Sequence, residues 1–149
     1  MRRGGWRRWA PSLMALLLTL VLAGCAGTGG GSTSARALPC AGRVTPPAVA
    51  PSVTLRDADA GHETPARVGS VVEIRLDGQH TWNLDSVTPS DALTPTGAQG
   101  ALQQGACVWD FRVAKAAVAT VQMVGGALCQ PHQPCPAYAM LAKFIIRGT

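Results

Sequence analysis

Cysteine is the residue type in this chain whose spacing could support the most chemistry. The sequence has five, and the last two, Cys129 and Cys135, enclose five residues in "CQPHQPC". Two thiolates with the imidazole of His132 could bind zinc or copper(I), whereas two oxidised sulfurs would close a loop. A structural zinc site needs four ligands, and only the distant His62 or His80 could supply the fourth. The spacing therefore favours a Cys129–Cys135 disulfide and leaves metal binding as the alternative.

The first cysteine stands in a different setting. Four arginines in "MRRGGWRRW" precede about a dozen apolar residues, which is the pattern of a secretory signal. The run is too short for a membrane span, which needs about 20 apolar residues. Residues 22–25, "LAGC", resemble the lipobox of bacterial lipoproteins. The resemblance implies cleavage after Gly24 and a lipid on the Cys25 thiol, so we expect an exported protein anchored to the extracytoplasmic face of the cell membrane.

Removal of residues 1–24 changes the charge balance. The chain has a formal net charge of +5 from 13 basic and eight acidic residues, but four of the basic ones precede residue 25. The processed chain, residues 25–149, thus has nine basic and eight acidic residues, which excludes the basic surface that a nucleic acid would need. Residues 25–51 are rich in Gly, Ser, Thr and Pro, which predicts a flexible linker.

From residue 52 onward the apolar residues recur with a period of two. The pattern predicts strands in "SVTLR", "VVEIRLD", "CVWDFRV", "MLAKFIIRG" and over Val118–Val124, each with one face in a core and one in water. Turn signals at 57–61, 67–70, 76–79 and 94–100 separate them, so residues 52–149 are expected to form an all-β sandwich or barrel. The predicted core comprises Val72, Ile74, Leu76, Trp82, Trp109, Phe111, Val121, Phe144 and Ile146.

The same segments resemble the immunoglobulin-like domain of chagasin-type inhibitors of papain-like cysteine proteases. Matches to that family's strand motifs are Val68, Gly69, Val72, Ile74, Leu76, Trp82, Phe111, Ala119 and Val121. The resemblance implies an immunoglobulin-like antiparallel β-sandwich. The family's inhibitory loops are missing: "DGQHT" stands in place of its N-P-T-T-G loop, and "GGALCQPHQPCPA" in place of its R-P-W loop. The pattern also resembles small bacterial lipoproteins of unassigned function built on the same domain.

Four cysteines remain beyond Cys25, an even number in an exported protein, where disulfides persist. Four cysteines allow three pairings. We predict Cys129–Cys135 and Cys40–Cys107, of which the second would close the longer ring and pin the end of the linker to the strand that carries Trp109.

Sites for catalysis are not indicated. The sequence has no G-x-S-x-G, H-E-x-x-H or C-x-x-C motif, and "DADAG" at 57–61 lacks the twelfth-position carboxylate of a calcium loop. We therefore expect a non-enzymatic protein without a cofactor. The first hypothesis is a membrane-anchored binding module that uses the sandwich loops. The alternatives are a diverged inhibitor of papain-like proteases and a metal-binding lipoprotein with Cys129, His132 and Cys135 as ligands.

Overall fold

The computed structural model describes residues 38–42 and 49–149. The predicted signal peptide, Cys25 and most of the predicted linker lie outside this part of the chain. Within the described residues, no helix is long and apolar enough to cross a membrane.

Eight strands make up the domain. They are β1 Val53–Arg56, β2 Glu63–Ala66, β3 Val71–Asp77, β4 His80–Thr88, β5 Leu93–Gln103, β6 Ala106–Val113, β7 Val118–Ala127 and β8 Ala139–Gly148, with a short 3-10 turn at Asp57–Asp59. The strand expected at Val118–Val124 is confirmed as part of β7, and "DADAG" forms the expected turn.

The strands form two four-stranded sheets, in the orders β1-β3-β6-β5 and β2-β8-β7-β4. The order β3-β6-β5 matches strands B, E and D of an immunoglobulin constant-type domain, and β4, β7 and β8 take the places of its C, F and G strands. β1 lies where strand A would, but it is parallel to β3. β2 adds a parallel strand beside β8. The predicted all-β, immunoglobulin-like β-sandwich is therefore confirmed, with antiparallel pairing of its other strands and parallel pairing of the edge strands β1 and β2.

The core lies between the two sheets. All nine residues of the predicted core are buried there, and Met123, Val113 and Leu93 join them. Alternation on β3, β7 and β8 sends every second side chain inward, as the sequence pattern requires.

The turn predicted at residues 94–100 is wrong, because this segment belongs to β5. Its register against β6 shifts twice, between Thr96 and Gln99 and between Gln99 and Ala101. Gly97 and Gly100 have φ values of +57° and +70°. Glycine adopts positive φ without a steric penalty, so the residues that signal a turn here form bulges within a strand.

The outward face of β6 was expected to meet water, and for Val108 and Asp110 this is also wrong. Both are buried, Val108 in a small cluster with Ala98 and Ala101. The bulged part of β5 supplies those two alanines. The backbone N–H of Ala98 donates to Oδ2 of Asp110 at 2.7 Å.

Candidate functional site

The register of the strands brings three connections to one end of the sandwich. In the first sheet, Ala106 at the start of β6 pairs with both Asp77 and Gln103, the last residues of β3 and β5. In the second sheet, the end of β7 pairs with the starts of β4 and β8. The connections β3–β4, β5–β6 and β7–β8 thus lie together, and we call this region the loop end. The opposite region, with the connections at 67–70, 89–92 and 114–117, is the far end.

The β3–β4 connection is short and tightly held. Only Gly78 and Gln79 separate the two strands. Oδ1 of Asp77 accepts the backbone N–H of Gln79 at 2.8 Å and lies 2.8 Å from Nδ1 of His80. A Cβ on Gly78 would lie 2.3 Å from the carbonyl oxygen of Gly105, so this turn packs directly against the β5–β6 turn. Such a turn cannot project into a partner.

The β5–β6 connection is a two-residue hairpin turn. Gln104 and Gly105 both have positive φ, at +50° and +78°, as a type I′ turn requires. The Nη2 atom of Arg75 donates to the carbonyl oxygen of Gln103 at 3.2 Å. This side-chain contact ties the hairpin to β3.

The β7–β8 connection, residues 128–138, is the longest loop at this end. A disulfide joins Cys129 to Cys135, whose Cα atoms are 5.2 Å apart. Residues 132–138 are all exposed, and His132 has a φ of +65°. The ring of Tyr138 meets that of His80 edge-on, with 6.3 Å between centroids. The result is a disulfide-closed loop, hereafter the stapled loop, that is much longer than the two short turns.

Residues 38–42, which belong to the predicted linker, lie against the open side of the sandwich next to the loop end. Trp82 in β4 donates its backbone N–H to Pro39 at 2.8 Å, and Gly42 donates its own to Gly100 in β5 at 2.7 Å. Between these contacts Cys40 forms the predicted disulfide with the fully buried Cys107. Residues 38–42, hereafter the strap, thus span the gap between the edge strands β4 and β5.

A cavity of about 200 Å³ lies behind this strap. It is lined mainly by Trp82, Trp109, Gln99 and Asn83 together with the strap itself. Nε1 of Trp82 is buried and has no hydrogen-bond partner among the described residues. The side-chain amide of Gln99 is committed to the backbone carbonyls of Thr96 and Asp110 in hydrogen bonds of 3.1 and 2.7 Å.

The titratable groups at the loop end do not form a catalytic or metal site. Asp77 contacts the ring of His80 as a carboxylate contacts the catalytic base that it orients. A nucleophilic site would also need a hydroxyl or thiol bonded to that histidine, and none of the described residues provides one. Among the described residues no group of three His, Cys, Asp or Glu side chains is placed to hold a metal ion. In the proposed metal site of Cys129, His132 and Cys135, the two cysteines are joined in a disulfide and so provide no thiolate ligand.

The surface of the loop end is mostly uncharged, with Asp77 in the β3–β4 connection as the exception among the three connections. The segments 38–42, 78–84, 97–109 and 123–142 contain no Asp, Glu, Lys or Arg. Four large apolar side chains are exposed on or beside the loop end, namely Leu38, Leu102, Tyr138 and Leu141. Sequence patterns alone did not group these residues, because the grouping depends on which strand ends meet.

No family model matches the sequence, and no curated protein matches it. Among solved structures, the chain is similar to the cysteine protease inhibitor EhICP2 from Entamoeba histolytica, with 10% identity and a TM-score of 0.45 over 67% of this chain and 100% of that one. Amebosin shows 14% identity and a TM-score of 0.44 over 67% of this chain and 100% of its own. PbICP-C, solved in complex with falcipain-2, shows 10% identity and a TM-score of 0.45 over 73% of this chain and 96% of that one.

Proposed function

We propose that this protein is a non-enzymatic binding module that inhibits papain-like cysteine proteases through its loop end. The observation that carries the proposal is the convergence of three connections at one end of a rigid sandwich, with the longest of them closed by a disulfide and exposed over residues 132–138. Loops on a rigid scaffold are the usual place for recognition. The sequence resemblance to chagasin-type inhibitors supports the choice of partner.

The stapled loop is the element that we expect to enter the substrate cleft. The β3–β4 turn has only two residues outside its strands, so it can flank the cleft but not fill it. The disulfide between Cys129 and Cys135, with Pro131 and Pro134 inside the ring, limits the conformations of the loop before binding. Preorganisation of this kind lowers the entropic cost of binding.

Titration of the processed chain against a papain-like protease tests the proposal. We expect inhibition at micromolar concentration or below, and an inhibition constant raised at least tenfold by the double substitution Gln130→Glu and Gln133→Glu. The matched control is Ala116→Glu, which adds a charge at an exposed position of the far end and should leave the constant unchanged. An unmodified chain that does not inhibit at micromolar concentration would refute this function.

The second candidate is a binding module for another protein at the same loop end. The observation that favours it is the absence of the family's inhibitory sequences from the β3–β4 turn and the stapled loop. A photo-crosslinker at position 130, compared with one at position 116, tests this candidate in the cell envelope. A specific partner captured from position 130 and not from position 116 supports it, and equal capture contradicts it.

We further propose that the protein is anchored by a lipid on Cys25. Support comes from the basic head, the short apolar run and the "LAGC" sequence. More than one acyl chain makes such an anchor stable. Labelled palmitate should enter the full chain and should fail to enter the Cys25→Ser variant. Equal labelling of the two chains would exclude this position as the anchor.

A further inference from the structure

The strap determines where the tether from Cys25 reaches the domain. Twelve residues, 26–37, separate Cys25 from Leu38. At about 3.3–3.6 Å per residue, that length cannot exceed roughly 45 Å. Pro39 and Cys40 contact β4 and β6 close to their loop-end termini. The tether therefore arrives at the loop end.

Without the strap, the attachment would move to the other end of the molecule. Ser52 would then be the first described residue along the chain with a main-chain hydrogen bond to the sandwich. Its backbone N–H donates to the carbonyl oxygen of Val71 at 2.9 Å. Val71 begins β3 at the far end, and seven residues of strand, about 20 Å, separate it from the loop end. The Cys40–Cys107 disulfide thus both shortens the tether and decides which end of the sandwich faces the anchor.

The surface at that end carries exposed apolar side chains that could contact a lipid interface. Leu38, Leu102, Tyr138 and Leu141 are exposed there, and Leu38 and Leu141 each keep more than 60% of their surface accessible, at 63% and 65%. The segments 78–84, 97–109 and 123–142 at this end have no charged side chain, and the nearby Asp77 is paired with His80. Tyrosine is favoured at membrane interfaces because its ring is apolar and its hydroxyl polar. At the far end the exposed valines have charged neighbours. Val68 follows Arg67, and Val118 pairs with Arg147 and comes just after the connection that contains Lys115.

We infer that the loop end rests on the bilayer that holds the lipid of Cys25, through apolar contacts that do not depend on headgroup charge. This inference relies on the proposed anchor. A short tether keeps the loop end at high effective concentration near the surface, so a few apolar side chains suffice for contact. The bilayer and a protein partner then compete for the same surface.

The orientation can be measured without relying on lipidation in the cell. The processed chain is coupled through its Cys25 thiol to a maleimide lipid in phosphatidylcholine nanodiscs that carry a gadolinium headgroup. Amides at the loop end, such as Gln79 and Gln104, should then relax at least threefold faster than far-end amides such as Gly69 and Ala114. Anionic nanodiscs and added salt should leave the ratio unchanged. Equal rates at the two ends, or faster relaxation at the far end, would overturn the inference.

Two pairs of variants separate surface contact from tether length. Leu102→Lys with Leu141→Lys should reduce the ratio of rates toward one, while the matched far-end pair Val68→Lys with Val118→Lys should retain it. All four positions are exposed, so these chains should fold. An unchanged ratio in the first pair would refute the bilayer contact. Because no protease is present, failure here leaves the inhibitor proposal standing, and failure of the inhibition assay leaves this inference standing.

Discussion

Different interactions stabilise the two ends of the sandwich. At the far end, main-chain hydrogen bonds hold the connections to each other and to β6: Ala114 donates to Ala92, and Gly69 donates to Val113 at the end of β6, both at 2.8 Å. At the loop end no described main-chain hydrogen bond joins one of the three connections to another. Disulfides, the contact of Arg75 with Gln103, and close packing of Gly78 on Gly105 stabilise that end instead.

This difference indicates where the sequence is free to change. Main-chain hydrogen bonds at the far end depend little on side-chain identity, so they preserve the strand ends whatever residues the connections carry. Once the disulfides and the two glycine turns fix the loop end, the exposed positions of the stapled loop are not needed for folding. A scaffold built in this way can change its binding specificity without losing its fold.

The largest effect is expected from removal of the disulfide beside the loop end. The double variant Cys40→Ala and Cys107→Ala opens a ring with a sequence separation of 67 residues, so the free energy of unfolding should fall by about 4 kcal/mol in the chain-entropy model. Urea unfolding followed by tryptophan fluorescence measures this change. A fall below about 1 kcal/mol would mean that the strap is held mainly by the hydrogen bonds of Pro39 and Gly42.

The stapled loop provides the comparison within the same end. Its disulfide has a sequence separation of only six, so the double variant Cys129→Ala and Cys135→Ala should lower the free energy of unfolding by about 2 kcal/mol. Inhibition or partner binding should nevertheless fall more in this variant than in the strap variant. The opposite order of the two binding losses would contradict the role given to the stapled loop.

A smaller destabilisation is expected at Gly125, where β7 passes beneath Trp82. A Cβ at this glycine would lie 2.7 Å from Cε3 of the indole, so Gly125→Ala should lower the free energy of unfolding by about 1–3 kcal/mol through overpacking. The neighbouring Gly126→Ala is the matched control, since its nearest contact would be 3.4 Å. Equal unfolding midpoints for the two variants would show that Trp82 can shift at no cost.

The sequence predicted the fold well where one face of a strand is buried and the other is in water. β3, β7 and β8 alternate cleanly, and their core residues lie where the pattern put them. β5 was missed because its glycines and Pro95 have the composition of a turn, while the tertiary structure uses them in bulges. The loop end could not be recognised from spacing alone, because its members come from three distant segments. The cysteines marked the β7–β8 connection, and the family resemblance placed loops at the β3–β4 and β7–β8 connections, but neither indicated that the β5–β6 turn joins them.

Asp110 should give the domain an unusual pH dependence. Burial raises the pKa of this carboxyl, Glu73 adds to the rise, and the N–H of Ala98 and the charge of Arg75 oppose it. A raised pKa in the folded state means that the group's contribution to stability is present below its unfolded pKa and is lost as the pH rises through the folded one. Asp110→Asn keeps an acceptor for Ala98, so its stability relative to the unmodified chain should increase between pH 3 and pH 7.

Chemical unfolding at several pH values measures this increase. Asp110→Ala is the control for the hydrogen bond, since it leaves the N–H of Ala98 without its partner and should be destabilising even at pH 7. If Asp110→Asn lost stability relative to the unmodified chain as the pH rose, the ionised carboxylate would have to be stabilised in its buried position, and the described contacts would not account for it.

The smallest effect should come from the ion pair of Asp91 and Lys115 at the far end. The hydrogen bond from Lys115 lowers the pKa of Asp91, so the pair contributes to stability above the unfolded pKa of this carboxyl and ceases to do so as the pH falls through the folded one. Both side chains are well exposed, and salt screens such pairs. Asp91→Asn should therefore leave the unfolding midpoint at physiological salt and the inhibition constant unchanged, because main-chain hydrogen bonds keep the far end in place. A midpoint shift as large as that of Gly125→Ala would mean that charged side chains, and not the backbone, hold this end together.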